Sequence, residues 1–122
     1  MSKAAELAEF GSGISSGPNA VEGLAKAWVN LNGTGTIAER DSLNVSGLVD
    51  NGTGIYTANL TNSFGATDFA VSGTSANGAN FTFCTAPRGT ASASNISAFT
   101  SGSSFLLADA SIVSLLGYGD LA

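Results

Sequence analysis

Residues 43–61 read LNVSGLVDNGTGIYTANLT, two alternating runs on either side of an Asp-Asn-Gly-Thr-Gly hinge. Leu43, Val45 and Gly47 alternate with Asn44 and Ser46, and Tyr56, Ala58 and Leu60 alternate with Thr57, Asn59 and Thr61. A period of two puts apolar residues on one face of an extended chain and polar residues on the other. Asn51-Gly52 tolerates the positive φ angles that a tight hairpin requires. The stretch therefore predicts one strand over about 43–49, a turn at 50–54 and a second strand over about 55–61.

The same period recurs on both sides of this hairpin. Upstream, Ala27, Val29 and Leu31 alternate with Trp28, Asn30 and Asn32. Downstream come Phe69 with Val71, Phe81 with Phe83, and Phe105 with Leu107. The run from Ile112 to Leu116 is almost wholly apolar, so it reads as a strand buried on both faces. Short strands spaced by roughly 8–14 residues and punctuated by Gly, Asn and Asp predict an all-β fold, a small antiparallel β-sandwich or jelly-roll-like domain. Nothing from residue 24 onward has a helical period.

The start of the chain reads differently. Ser2 can cap a helix, and Ala4, Leu7 and Ala8 recur at helical spacing ahead of Phe10. A helix of about nine residues is marginal in water unless it packs on something. Residues 11–23, rich in Gly and Ser, follow as a linker. The expected organisation is an arm over residues 1–23, a short N-terminal helix plus linker, and a β-domain over residues 24–122. An arm with that apolar stripe suits docking onto another protein, with Ala4, Leu7, Ala8 and Phe10 as the contact residues.

Composition narrows the function. The 122 residues carry a net charge of −5, and only 11 % are charged, against about 25 % in an average soluble domain. The polar surface is built from hydroxyls and amides, which suits a protein that shares its surface with other subunits. The four basic residues, Lys3, Lys26, Arg40 and Arg88, form no cluster, so neither nucleic acid nor an anionic membrane is an expected partner. Histidine is absent and Cys84 is the one cysteine, so no disulfide within the chain, no metal and no cofactor is expected. Cys84 reads as a small core residue. The first residues lack the apolar segment of a secretion signal.

Candidate chemistry is sparse. Serine is abundant, but a serine nucleophile needs a base, and neither Lys3 nor Lys26 lies in a motif that would make it one. Glu39 and Asp41 flank Arg40. They read as an exposed strand end with ion pairs to a neighbour, since no further group completes an acid–base site. Asp50-Asn51-Gly52 lacks the ligand spacing of a calcium loop. No catalytic residue is expected, and the chain reads as a non-enzymatic protein. Trp28 and Tyr56 are the aromatics that would stack on a glycan, although aromatics of that kind more often fill a core or an interface.

From residue 25 the sequence AKAWVNLNGTGTIAERDSLNVSGLVDNGTGIYTANL resembles a segment common in phage tail-fibre and related virion proteins, many of them from phages of marine bacteria. The resemblance rests on Lys26, Trp28, Asn30, Asn32 to Thr36, Arg40 to Ser42, Asn44 to Ser46, Asp50 to Gly54 and Tyr56. The final GYGDLA and the opening MSKAAELAEF are similar to the ends of such proteins, while residues 62–111 match loosely. The resemblance implies a β-rich module assembled as a homotrimer on a virion, made in the cytoplasm of a host bacterium. Its partners would be itself and other capsid or tail proteins. Most chains with this module are longer fibres that end in it, and a compact subunit with an N-terminal tether also suits capsid decoration, as a cement protein clamping neighbouring capsomers. The alternative is a receptor- or glycan-binding fibre tip.

Overall fold

A computed structural model describes residues 23–77, 80–85 and 92–122, residues 80–85 by their backbone. The described chain is all-β, with eight strands: β1 (Ala27–Asn32), β2 (Ala38–Leu43), β3 (Val45–Asp50), β4 (Ile55–Leu60), β5 (Ala70–Asn77), β6 (Asn80–Thr85), β7 (Asn95–Ser101) and β8 (Ile112–Tyr118). All pairings are antiparallel. The ladder runs in the order β2-β1-β8-β5-β6-β7-β4-β3. Its first half, β2-β1-β8-β5, forms one sheet and its second half, β7-β4-β3, another. β6 joins them, pairing with β5 through Asn80 to Thr82 and with β7 through Phe83 to Thr85.

The two sheets share one core. Ala27, Val29, Leu31, Val113 and Leu115 come from the first sheet, and Tyr56, Ala58, Leu60, Ile96 and Ala98 from the second. Phe64 and Ala110 close the two ends. The alternation in the sequence is the alternation of burial: β1 and β4 bury every second residue. β8 departs from expectation. Val113 and Leu115 are buried, but Ile112 is 46 % exposed and Leu116 only half-buried. Its second face is the outside of the sheet, so the strand is buried on one face, not two.

The expected strand over residues 43–49 is also divided. Asn44 takes φ +61° and turns the chain from β2, in the first sheet, into β3, in the second. Its side chain fixes the corner. The amide nitrogen donates to Lys26 O (3.1 Å) and Asn62 O (2.9 Å), and Oδ1 accepts from Asn62 N (2.7 Å). The Asn44 carbonyl accepts from Thr61 N at 3.1 Å. Asparagine is the side-chain-bearing residue that tolerates this left-handed backbone best, and here it also supplies donors and an acceptor. Asn44→Ala is expected to lower stability by about 2–3 kcal/mol and Asn44→Gly by about 1–2 kcal/mol, glycine keeping the backbone and losing only the hydrogen bonds. Urea titration of the pair checks this; equal losses would mean that the backbone angle does not matter.

β2 and β3 are the sheet edges, and each carries an irregularity. In β2, Asn30 faces Asp41 and Leu31 faces Glu39, so Arg40 is the extra, bulged residue. Its guanidinium donates to Leu31 O (2.7 Å), Ser111 O (2.6 Å) and Asn30 Oδ1 (3.4 Å). The ion pairs expected of Arg40 are replaced by these contacts to carbonyl oxygens, because the bulge aims the side chain back over β1. Glu39 and Asp41 each accept from Ser42, through its hydroxyl (2.7 Å) and its backbone N–H (2.9 Å) respectively. A bulged, charged edge is a poor template for another strand.

The residues of the expected N-terminal helix and most of its linker, 1–22, lie outside the described residues. The Cys84 side chain does so too.

Candidate interaction surfaces

The turn predicted at residues 50–54 joins β3 to β4. Asp50 Oδ1 accepts from Gly52 N (2.9 Å), and Asn51 Nδ2 donates to Thr57 Oγ1 (2.9 Å). Gly52 (φ +121°) and Gly54 (φ +68°) supply the backbone that residues with side chains avoid. Gly54 also lies against the backbone of Thr100 and Ala108, where a side chain has no room.

From Gly54 a polar network runs through this end of the core. Gly54 N donates to Asp109 Oδ1 (2.8 Å), and Gly54 O accepts from Thr100 N (2.7 Å). Tyr56, wholly buried, carries the network onward. Its hydroxyl lies 3.1 Å from both Gly33 O and Asp109 Oδ1, and it accepts from Ala110 N at 3.2 Å. Thr100 Oγ1 donates to Ala108 O at 2.6 Å. Gly33 leaves space for the Tyr56 ring, which any Cβ there would overlap. Burial pushes the Tyr56 phenol above its ordinary pKa, with the neighbouring Asp109 charge acting in the same direction.

The two aromatics singled out from the sequence therefore part company. Tyr56 is a core residue with its hydroxyl engaged, the commoner reading of such an aromatic, and it presents no ring face to a sugar or a partner, so its glycan and interface roles are corrected. The reason is its place on the inward-facing set of β4. Trp28 sits on the outward-facing set of β1, half-buried, opposite Leu43 of β2 and Leu116 of β8. The outer face of this first sheet carries Trp28, Leu116, Tyr118 and the well-exposed Leu43 (49 %) and Ile112. Asn30 Nδ2 donates across it to Ser114 Oγ at 2.8 Å.

The other exposed apolar group lies on the connection from β7 to β8, which sequence reasoning read as strand. Residues 102–107 instead form a tight turn, with Gly102 N donating to Leu106 O and Phe105 N to Gly102 O, both at 3.0 Å. Phe105 takes φ +60°. Phe105, Leu106 and Leu107 stand 78 %, 71 % and 48 % exposed at its tip. The Thr100–Ala108 bonds and the Asp109 carboxylate hold the base of this turn against the core. The sequence signal was Gly102-Ser103-Ser104, a turn composition just ahead of the apolar run.

At the opposite end of the molecule an open cleft of about 550 Å³ is lined by Gly65, Ala66, Asp68, Phe69, Gly119 and Asp120. Phe69 stacks on Phe64 there, with ring centroids 4.1 Å apart. Among the described residues no group of three or more Asp, Glu, Cys or His side chains is placed to hold a metal ion, and no helix is long and apolar enough to cross a membrane. Ala4, Leu7, Ala8 and Phe10 fall outside the described residues. Comparison with family models, with curated proteins and with solved structures finds no match to this chain.

Proposed function

We propose that this chain is a non-enzymatic structural subunit of a bacteriophage particle. In this reading it is a homotrimeric β-sandwich, jelly-roll-like in its layout, that serves as a tail-fibre-like or capsid-decorating cement subunit. It is made in the host bacterial cytoplasm, resides in the virion, uses no cofactor and binds no nucleic acid or membrane. Its partners are its own copies and neighbouring capsid or tail proteins.

One observation carries the reading. The polar side chains of the segment that resembles virion proteins serve the frame: Asn30, Asn32, Arg40, Asn44, Asp50, Asn51 and Tyr56 all hold turns, corners or the core through bonds within the chain. A motif whose polar groups build rigidity, beside apolar side chains left at the surface, suits a protein that works by shape and contact.

Attachment is assigned to the N-terminal arm, with Ala4, Leu7, Ala8 and Phe10 as its docking residues. Burying Leu7 and Phe10 in a partner would contribute roughly 1.5–3 kcal/mol each. The double substitution Leu7→Ala with Phe10→Ala is expected to leave the β-domain folded and oligomeric while sharply reducing incorporation into particles. Normal copy number in particles grown with the double variant would place attachment on the β-domain instead.

The second reading, a receptor- or glycan-binding fibre tip, draws on Trp28, a partly exposed ring beside the amide of Asn30 on the same sheet face. Quenching or shift of Trp28 emission by cell-surface glycans of the host would favour it.

A further inference from the structure

We propose that copies of this chain meet through the outer face of the β2-β1-β8-β5 sheet, with Trp28 and Leu116 at the centre of the contact. This deepens the homo-oligomeric reading above, and it concerns assembly alone, not attachment to a particle.

The argument starts from charge. The solvent face of an antiparallel sheet is ordinarily polar and often charged. Here no outward position of β1, β5 or β8 carries Asp, Glu, Lys or Arg. The charges of this sheet, Glu39, Arg40 and Asp41, lie on β2 at its rim. A molecule with a net charge of −5 repels its own copies, and this face lets two copies approach without setting like charges against each other. An uncharged centre holding Trp and Tyr, with the charges confined to one edge strand, matches the depletion of charge at the core of protein interfaces.

Shape and size agree. Leu43, Trp28 and Leu116 are successive cross-strand neighbours, forming an apolar row over three strands. It continues into Ser72 of β5, while Tyr118 lies two residues further along β8. Four strands of six to eight residues make a face roughly 20 Å by 20–25 Å. Two such faces brought together would remove on the order of 1,000 Å² from water, the least that a specific interface needs; in a three-fold assembly each face would be shared between two neighbouring copies.

The sequence contains a single tryptophan, so Trp28 reports on the contact directly. The experiment follows mass by light scattering and Trp28 emission together, over a thousand-fold dilution of the full chain. The expected result is a multiple of 12.1 kDa at high concentration, falling on dilution in step with a red shift of the emission. The paired variant Ser72→Lys with Thr74→Lys places charges at two exposed positions of the face. It should keep the β-sheet circular dichroism and thermal midpoint of the parent, weaken self-association at least tenfold and fix the emission at the red value. A wild-type chain that stays monomeric with unchanging emission overturns the proposal; so does a folded variant that keeps the parental mass. If the variant does not fold, the wild-type dilution series decides alone: emission that stays put while the mass falls overturns the proposal. Particle incorporation, which tests attachment, does not enter these readouts.

Discussion

Gly54→Ala is expected to lower the stability of the β-domain by roughly 3–5 kcal/mol. Two costs add. A left-handed backbone, φ +68° at Gly54, penalises any residue with a Cβ by about 1–2 kcal/mol. The new methyl would also stand 2.5 Å from Thr100 O and 2.9 Å from the Ala108 backbone, groups that cannot rotate away, and overpacking of that kind costs about 1–3 kcal/mol or more. The same shift would pull Gly54 N from Asp109 and Gly54 O from Thr100. Gly52→Ala is the control. Gly52 is also at positive φ, but nothing lies within 4 Å of its missing side chain, so only the backbone cost remains. Thermal unfolding should place Gly54→Ala about 15–30 °C below the parent and Gly52→Ala much nearer to it. Similar midpoints for the two variants would show that the Thr100–Ala108 packing is not tight.

Tyr56 governs the second large effect. Tyr56→Ala removes the largest fully buried side chain of the core and is expected to cost about 3–5 kcal/mol. Tyr56→Phe keeps the ring and is expected to cost about 1–3 kcal/mol, because Ala110 N loses its acceptor inside the protein and Gly33 O and Asp109 lose a neighbour. The two variants also differ from the parent in pH response. Burial raises the Tyr56 pKa in the folded chain, so below about pH 10, the ordinary value, the phenol is neutral in both states and its contribution is fully present. As pH rises above that value the unfolded chain ionises first, and stability is lost through the range up to the higher folded pKa. Denaturant titrations between pH 8 and 11 should show a steeper alkaline loss for the parent than for Tyr56→Phe. Parallel pH profiles would mean that the hydroxyl is not buried.

Much of this architecture is legible in the sequence, because period two survives wherever one face is buried. β1 and β4 emerge with the inward residues that alternation selects, Ala27, Val29 and Leu31 on one and Tyr56, Ala58 and Leu60 on the other. The Asn51-Gly52 turn falls where its chemistry places it. The corner at Asn44 was not legible. Alternation continues smoothly through it, and only long-range partners, Lys26 and Asn62, reveal that the chain changes sheets there. Arg40 was misread for a related reason, since a bulge is a property of two strands and local sequence shows one. The role of Tyr56 is set by Gly33 and Asp109, distant in sequence and joined only by the fold. Trp28 and Tyr56 look alike as aromatics within alternating runs, and the pairing partners, Leu116 for one and Ala98 for the other, decide which faces outward.

The same features give the proposed role its physical basis. Bulged edges at β2 and β3 discourage open-ended strand pairing, which leaves side-chain surfaces for the proposed association. A core braced by buried hydrogen bonds supplies a rigid unit, and in the proposed role its uncharged sheet face and the exposed tip at Leu106 and Leu107 would supply the contacts. The central claim is that this rigid unit belongs to a virion. Its most direct test is the copy number of the chain in purified particles of a phage whose genome carries this sequence, measured by quantitative mass spectrometry against the major capsid protein. The account predicts a fixed stoichiometry in multiples of three, a few to a few dozen copies for a fibre role or hundreds for capsid decoration. Purified particles that lack the chain would contradict it.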